Sequence, residues 1–325
     1  MAKFKIALSD TIFPKLEIEY EEVKKAGGEL VVAKEQTEEE IIKVVKDVDT
    51  IGVTYAEITE KIINTAKKCK IIVRTGIGVN NINIEAATER GIYVANVPDY
   101  CFDEVSDHAV ALALALSRKI VMFDRKVKNK EWNHEGVKPI LAMRGQTFGL
   151  IGFGNIPRLI AKKVKVFGFN VIAYDPYIKP EVAEEMGVKL VDIKTLLKES
   201  DFISLHTPLT PETKHLINDK TLKLMKPTAF LINTARGPLV DEEALNKALK
   251  DKWISGAALD VMEQEPPIDN NPLLTLDNII LTPHAAFVSE KSEIALRRKS
   301  IQEAIRGALG EKPINWVNKK AIQFK

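Results

Sequence analysis

Gly149-Leu150-Ile151-Gly152-Phe153-Gly154-Asn155-Ile156-Pro157 is an apolar run that ends in glycines and leads into a helix-like stretch, Ile156–Phe167. Glycines at such a junction let the backbone turn tightly and approach a pyrophosphate, whose charge the open N–H groups of a helix N-terminus then hold. A second apolar run, Asn170–Tyr174, ends in Asp175, twenty-one residues beyond Gly154. An acid there accepts both ribose hydroxyls and repels a 2′-phosphate, and no arginine adjoins it, so the pattern predicts NAD rather than NADP. The third glycine position of the fingerprint is Pro157. Proline is sterically acceptable in a first helical turn, but it removes the smallest residue from the helix–strand contact.

The strand–helix rhythm extends in both directions. Before the fingerprint, Lys5–Leu8, Glu29–Val32, Thr50–Val53, Ile71–Arg74 and Tyr93–Ala95 are strand candidates separated by amphipathic helix patterns, which predicts a parallel sheet with crossover helices. A second series starts with Thr147–Ile151 and continues through Asn170–Tyr174, Asp201–Leu205, Ala229–Asn233, Gly256–Leu259 and Ile279–Leu281. Six strands with helices between them predict a doubly wound dinucleotide domain. Val97-Pro98-Asp99 interrupts the rhythm, and Asp103 is expected to cap a long helix running through Ala109–Leu116 towards Val127. Its apolar middle predicts burial between two domains. Ser289–Leu309 reads as another long helix and Pro313–Lys325 as a short tail. If both long helices cross between domains, the first domain is made from both chain ends. The expected fold is α/β in two domains: a doubly wound parallel-sheet (Rossmann) NAD domain of residues 99–286, inserted into a smaller flavodoxin-like substrate domain of residues 1–98 and 287–325.

Composition narrows the function classes. In 325 residues, 47 cations nearly balance 45 anions, so no polyanion such as a nucleic acid is expected as a partner. The N-terminal apolar run is too short for a signal peptide and Ala109–Leu116 too short for a membrane span, which predicts a cytoplasmic protein with no membrane contact. Cys69 and Cys101 show no metal-like spacing and are not expected to form a disulfide.

Three residues at predicted strand ends carry chemistry. Arg236, after Ala229–Asn233, presents paired donors to a carboxylate and can polarise an adjacent carbonyl. Glu265 lies in a proline-bounded loop after Gly256–Leu259, and His284 follows Ile279–Leu281. A carboxylate beside an imidazole orients the ring and stabilises its protonated form, giving a general acid for a carbonyl oxygen. The set suits reduction of a 2-keto acid. Glu263 competes with Glu265 for the acid position, and His108, His134, His206 and His215 are rivals for the ring. His215 lies in a turn-to-helix segment, His108 is expected to pack in the interdomain helix, and His206 is expected to border the cofactor cleft.

With these residues in view, the chain resembles the NAD-dependent D-isomer-specific 2-hydroxyacid dehydrogenases over essentially its whole length. Matching segments occur in order: Arg74–Ile82, Asn96–Pro98, Gly152–Pro157 with Asp175, Leu205–Thr210, Asn233–Gly237, Gly256–Asp260 and Pro283–His284. The resemblance implies that Arg236 holds the substrate carboxylate, that His284 is the acid/base and that Glu265 pairs with it. It implies that the N–H groups of Gly76, Ile77 and Gly78 bind the substrate carboxylate, with Arg74 or Tyr55 shaping selectivity. It places NAD against Gly152, Gly154, Asn155, Ile156, Asp175, His206, Thr207, Pro208, Thr213, Thr234, Ala235, Arg236, Asp260 and His284, with Asp260 near the carboxamide and no metal. A homodimer is implied, the helix after Asp103 forming part of its interface. Pro283–Glu290 and Asn96–Pro98 look closest to the branch containing the C-terminal binding protein corepressors, whose members add NAD-dependent assembly and partner binding. The 3-phosphoglycerate dehydrogenases are another near relative, and the sequence reads as the core with no regulatory domain after it. Two readings follow: hydride transfer between NAD(H) and C2 of a small D-2-hydroxy acid or 2-keto acid, or an NAD(H)-sensing assembly module on the same fold. The complete Arg–Glu–His set favours the enzyme.

Overall fold

A computed structural model describes residues 2–137 and 140–319. The chain divides into two compact units: residues up to Tyr100 together with those from Ser289 onward form one, and Cys101–Val288 form the other.

The first unit holds a parallel sheet of β1 (Lys5–Leu8), β2 (Glu29–Val32), β3 (Thr50–Val53), β4 (Ile71–Arg74) and β5 (Tyr93–Asn96), in the order β2-β1-β3-β4-β5. That is the flavodoxin order. The strands read as short runs rich in Ile, Val, Leu and Ala because both faces of the sheet are covered. Ala7, Ile51, Val53, Ile72 and Val94 pack on one face, and Ile6, Ile71, Val73 and Ala95 on the other. The second face is covered partly by helix Glu290–Ala308 through Ile301, Ala304 and Ala308. Its start is set by a reciprocal cap in which Ser292 N–H donates to Ser289 Oγ and Ser289 N–H to Ser292 Oγ. Arg297 clamps it to helix Glu17–Ala26, donating to both oxygens of Glu19 at 2.8 and 2.7 Å.

The expected short tail does more than trail from the last helix. Trp316 bridges antiparallel to Ala95, and Val317 N–H donates to Val94 O at 2.8 Å. The buried Asn318 accepts from Val94 N–H and donates to Ile92 O. The edge of β5 is thereby closed, which removes an exposed row of strand donors and acceptors. Residues 320–325 of that tail lie outside the described residues.

The second unit holds seven parallel strands: β6 (Thr147–Ile151), β7 (Asn170–Tyr174), β8 (Lys189–Leu190), β9 (Phe202–Leu205), β10 (Phe230–Asn233), β11 (Gly256–Leu259) and β12 (Ile279–Leu281). Their order is β12-β11-β10-β9-β6-β7-β8, so the direction of winding reverses between β6 and β9. In open α/β sheets a ligand sits beyond the carboxyl ends of the strands at that switch point. Six strands were predicted; the seventh, β8, spans two residues and carries no periodicity.

The long helix after Asp103 also differs from expectation. It runs Phe102–Ser117 with Cys101 at its N-cap, so Asp103 is its second residue and not its cap. A second helix, Ile120–Lys128, follows a break at Lys119, whose φ is 55° and whose ammonium lies 4.7 Å from the centre of the Phe230 ring. The apolar middle is buried within its own unit: Ala109, Val110, Leu112, Ala113 and Leu116 pack with Phe148, Ile160, Val164, Ile232 and Ala258.

Candidate active site

At the end of β6 the backbone turns at Gly152, with φ 92°, and a side chain there would bring its Cβ within 2.6 Å of the His206 carbonyl oxygen. Only glycine meets both demands. The ends of the central strands are stitched together, Gly152 N–H donating to Tyr174 O and His206 N–H to Ile151 O. Helix Asn155–Val166 starts at Gly154. A Cβ built on Gly154 meets nothing within 4 Å, so open space lies in front of the helix N-terminus. Pro157 is buried at the third helical position, where its missing N–H costs no intrahelical bond. Asp175 braces the same loop: its carboxylate accepts from Phe153 N–H at 2.8 Å and from Tyr177 N–H at 2.9 Å.

These features fit a dinucleotide. Thr234, just after β10, adds a buried hydroxyl oxygen with no hydrogen-bond partner. Such an oxygen is costly unless something bound satisfies it. Beside it, the fully buried Asn233 shapes the turn by accepting from Ala235 N–H and donating to Arg236 O. Thr213 Oγ1 donates to Pro208 O and accepts from Thr210 N–H, closing the loop that follows His206 and Thr207. Burial pushes the His206 imidazole down to about 3, and its Nε2 lies 2.8 Å from Ser204 Oγ. A ring disfavoured from charging in this way suits packing at the strand end.

Two of the candidate histidines pair with the two candidate acids. His284 Nδ1 lies 2.6 Å from Glu265 Oε2, while Glu263 faces His215 at 3.2 Å. Glu265 Oε1 accepts from Met262 N–H at 3.0 Å. Burial pushes the Glu265 carboxyl up, but the hydrogen bond and charge of His284, the Met262 N–H and the Arg236 charge outweigh it, leaving it below the ordinary carboxylate value. Arg236 follows β10 and donates from Nη1 to Ala235 O at 2.6 Å. His134 is exposed.

Asp260 is 2% exposed. Its Oδ1 accepts from Thr282 Oγ1 and Ala285 N–H, its Oδ2 from Ala286 N–H, and its own carbonyl from His284 N–H. The residue expected near a carboxamide thus also builds the loop that carries His284. His108, expected to be packing, bonds through Nε2 to Thr282 Oγ1 at 3.0 Å. Sequence reasoning missed these contacts, as it missed Asn233, because nothing in spacing tells which strand-end loop an acid or amide turns towards.

In the first unit, Arg74, Tyr55 and Gly76 come together. The Arg74 guanidinium lies 5.7 Å from the Tyr55 ring centre and donates to Thr75 O. It occupies the space a Cβ on Gly76 would need, and Gly76 has φ 144°. Asn96 Nδ2 donates to Ile77 O, and Asn81 Nδ2 to Ala56 O and Thr54 O. The buried Asp10 accepts from the N–H groups of Thr54, Tyr55 and Ala56. Neither Asp10 nor the framing role of the two asparagines was evident from sequence. Among the described residues no helix is long and apolar enough to cross a membrane, and no cluster of His, Cys, Asp or Glu could hold a metal ion. Cys69 and Cys101 are buried, and neither is in a disulfide.

Comparison with known proteins agrees with this architecture. Residues 110–286 match the family model for the D-isomer specific 2-hydroxyacid dehydrogenase, NAD binding domain. The chain is 44% identical over 289 residues to a glyoxylate reductase of Thermococcus litoralis, covering 87% of each chain. It is 46% identical over 296 residues to a D-3-phosphoglycerate dehydrogenase of Methanocaldococcus jannaschii, covering 90% of this chain but spanning only 56% of that relative. Among solved structures, the D-lactate dehydrogenase of Aquifex aeolicus complexed with NAD and lactic acid superimposes with a TM-score of 0.87 at 29% identity, covering 99% of this chain and all of that one. The chain belongs to the D-isomer specific 2-hydroxyacid dehydrogenase family, NAD-dependent oxidoreductases that act on 2-hydroxy acids.

Proposed function

We propose that the protein interconverts a small 2-keto acid and the D-2-hydroxy acid using NAD(H), with His284 as proton donor and acceptor. The observation that carries the reading is the 2.6 Å bond between His284 Nδ1 and Glu265 Oε2 beside a sheet whose switch point is built for a dinucleotide. NADH, when bound, supplies the hydride that reaches C2 of the keto acid.

The residues then divide the remaining work. Gly152 and Gly154 leave the helix N-terminus open to a pyrophosphate, Thr234 offers its hydroxyl, and Asp175 is placed to accept from ribose hydroxyls and to disfavour a 2′-phosphate. Arg236 binds the substrate carboxylate with paired donors and draws electron density from the neighbouring carbonyl. Glu265 holds Nδ1 of His284, which assigns the transferred proton to Nε2. In reduction Nε2–H protonates the carbonyl oxygen as it gains charge; in oxidation neutral Nε2 takes the hydroxyl proton. The carboxylate of Glu265 keeps the ring oriented and stabilises its charged form in both directions.

The test is NADH oxidation, followed by absorbance, against a panel of 2-keto acids that includes glyoxylate, hydroxypyruvate, phosphohydroxypyruvate and pyruvate, with NADPH and His284→Ala in parallel. Turnover on one class with NADH, lost in His284→Ala, is the expected outcome. NADH binding with no reduction of any acid would reject the reading in favour of an NAD(H)-responsive assembly module.

A further inference from the structure

His108 lies on helix Phe102–Ser117, which starts immediately after the chain enters the second unit at Cys101. Thr282 and His284 lie on the loop just before the chain leaves that unit at Val288. The His108 Nε2 is 3.0 Å from Thr282 Oγ1 and 3.6 Å from Asp260 Oδ1, while Thr282 Oγ1 is 2.5 Å from Asp260 Oδ1. Elementary chemistry sets the direction of this chain. A carboxylate only accepts, so the single hydroxyl hydrogen of Thr282 goes to Asp260. The hydroxyl oxygen then has only lone pairs to offer His108, and Nε2 of that ring must carry a hydrogen.

We infer that His108 is a positioning residue for His284: its Nε2–H completes a one-way donor chain, His108 to Thr282 to Asp260, that holds the His284 turn in place. His284 has φ 52°, a left-handed conformation uncommon for a non-glycine residue. The backbone there is held by Asp260. Its two carboxylate oxygens take the N–H groups of Ala285 and Ala286, each at 2.9 Å, and its carbonyl takes that of His284 at 2.7 Å. Thr282 is the side-chain donor that orients this carboxylate, and His108 in turn fixes the rotation of the Thr282 hydroxyl. His108 is delivered from a fixed platform. Lys163, on the helix that follows the glycine fingerprint, donates to Ser106 Oγ and to Asp107 Oδ1, both at 2.6 Å, directly before His108. The bond of His284 to Glu265 does not run through this chain. Its loss therefore leaves the acid–base pair intact and shifts where the imidazole is held.

The inference rests on the proposed role of His284, and the test separates the two. The tautomer of His108 is read by 15N-resolved NMR on the full chain, its signal identified by comparison with His108→Gln. In parallel, kcat, KM and melting temperature are measured for Thr282→Val and Thr282→Ser. The expected results are an Nε2–H tautomer, a kcat lowered on the order of 10-fold in Thr282→Val by misplacement of the imidazole, KM values little changed, and recovery of kcat in Thr282→Ser. A merely structural threonine would lower the melting temperature without this split. An Nδ1–H tautomer, an unchanged kcat in Thr282→Val, or equal losses in the valine and serine variants would overturn the inference. Should the wild type reduce no keto acid, the functional reading fails. The His108 tautomer, together with the His284 ring shifts in the two Thr282 variants, then decides the positioning chain without turnover: unmoved His284 signals in Thr282→Val overturn it, and signals that move there and return in Thr282→Ser support it.

Discussion

Two histidines of the second unit stand in nearly the same way on the backbone, His284 at φ 52° and His215 at φ 51°, and each meets a glutamate of one short loop. Exposure does not separate them, since the side chains are 25% and 32% accessible for His284 and Glu265, and 36% and 34% for His215 and Glu263. Their other commitments do. Glu265 gives one oxygen to Met262 N–H of its own loop and the other to the ring. Glu263 is a knot: its Oε1 accepts from Glu242 N–H, its own N–H donates to Glu242 Oε1, and Glu242 Oε2 takes Asn271 Nδ2. One carboxylate divides itself between its own loop and a ring nitrogen; the other ties three segments together. A histidine–carboxylate contact identifies a reacting group only after the rest of the carboxylate is accounted for.

The comparison breaks first at His284. His284→Ala should lower kcat by about 100-fold to 10,000-fold, the range a positioned general acid supplies, with NADH binding by fluorescence titration nearly unchanged. A kcat within a few-fold of wild type would remove His284 from the reaction. Arg236→Ala should cost about 2 to 5 kcal/mol of transition-state stabilisation, the cost of removing one partner of a desolvated charge pair. It should raise KM for the keto acid as well as lower kcat. Equal kinetics in variant and wild type would assign Arg236 to the turn alone.

Glu265→Gln should have a smaller effect, lowering kcat by about 10-fold to 100-fold because the ring keeps a hydrogen-bond partner but loses its charge partner. It also carries a pH signature. A carboxyl held below its ordinary value of 4.5 in the folded chain adds stability that is present above that value and is lost as pH falls through the lower folded value. The melting-temperature gap between wild type and Glu265→Gln should therefore shrink as pH falls below about 4.5. His206 supplies a control with a different window. Its ring is lowered from 6.5 to about 3 by burial, so the unfolded chain binds the extra proton, and stability falls as pH drops from 6.5 towards 3. His206→Gln should flatten that slope in a melting series; an unaltered slope would show that the ring is not held neutral.

The strands of both sheets were legible because apolar runs bounded by turn residues are what two-sided burial requires, as in Ile71–Arg74 and Phe230–Asn233. Two elements were not. Lys189–Leu190 is too short to show a period, and the break at Lys119 has no glycine or proline to mark it, since the left-handed turn there is held by the fold around a lysine. At the site, the strand ends that bear Arg236, Glu265 and His284 could be read from the chain. The choice between Glu263 and Glu265, two residues apart in one loop, could not. Only the path of that loop past helix Glu242–Lys250 sends the first to His215 and the second to His284.

The smallest effect expected is the sharpest test of the contrast between the two pairs. His215 is partly exposed, and its bond to Glu263 at 3.2 Å joins groups that water can screen, a situation worth about 0 to 1 kcal/mol. The knot survives without it, because the two bonds from backbone N–H to carboxylate between Glu263 and Glu242 do not involve the ring. His215→Ala should therefore lower stability by at most about 1 kcal/mol in urea unfolding and leave kcat and KM close to wild type. If instead kcat fell as far as in His284→Ala while the unfolding midpoint stayed put, the second pair would belong to the chemistry and the division drawn from the carboxylate contacts would be wrong. A loss of stability without a loss of kcat would place His215 with Glu263 and Glu242, in the framework that carries the loop.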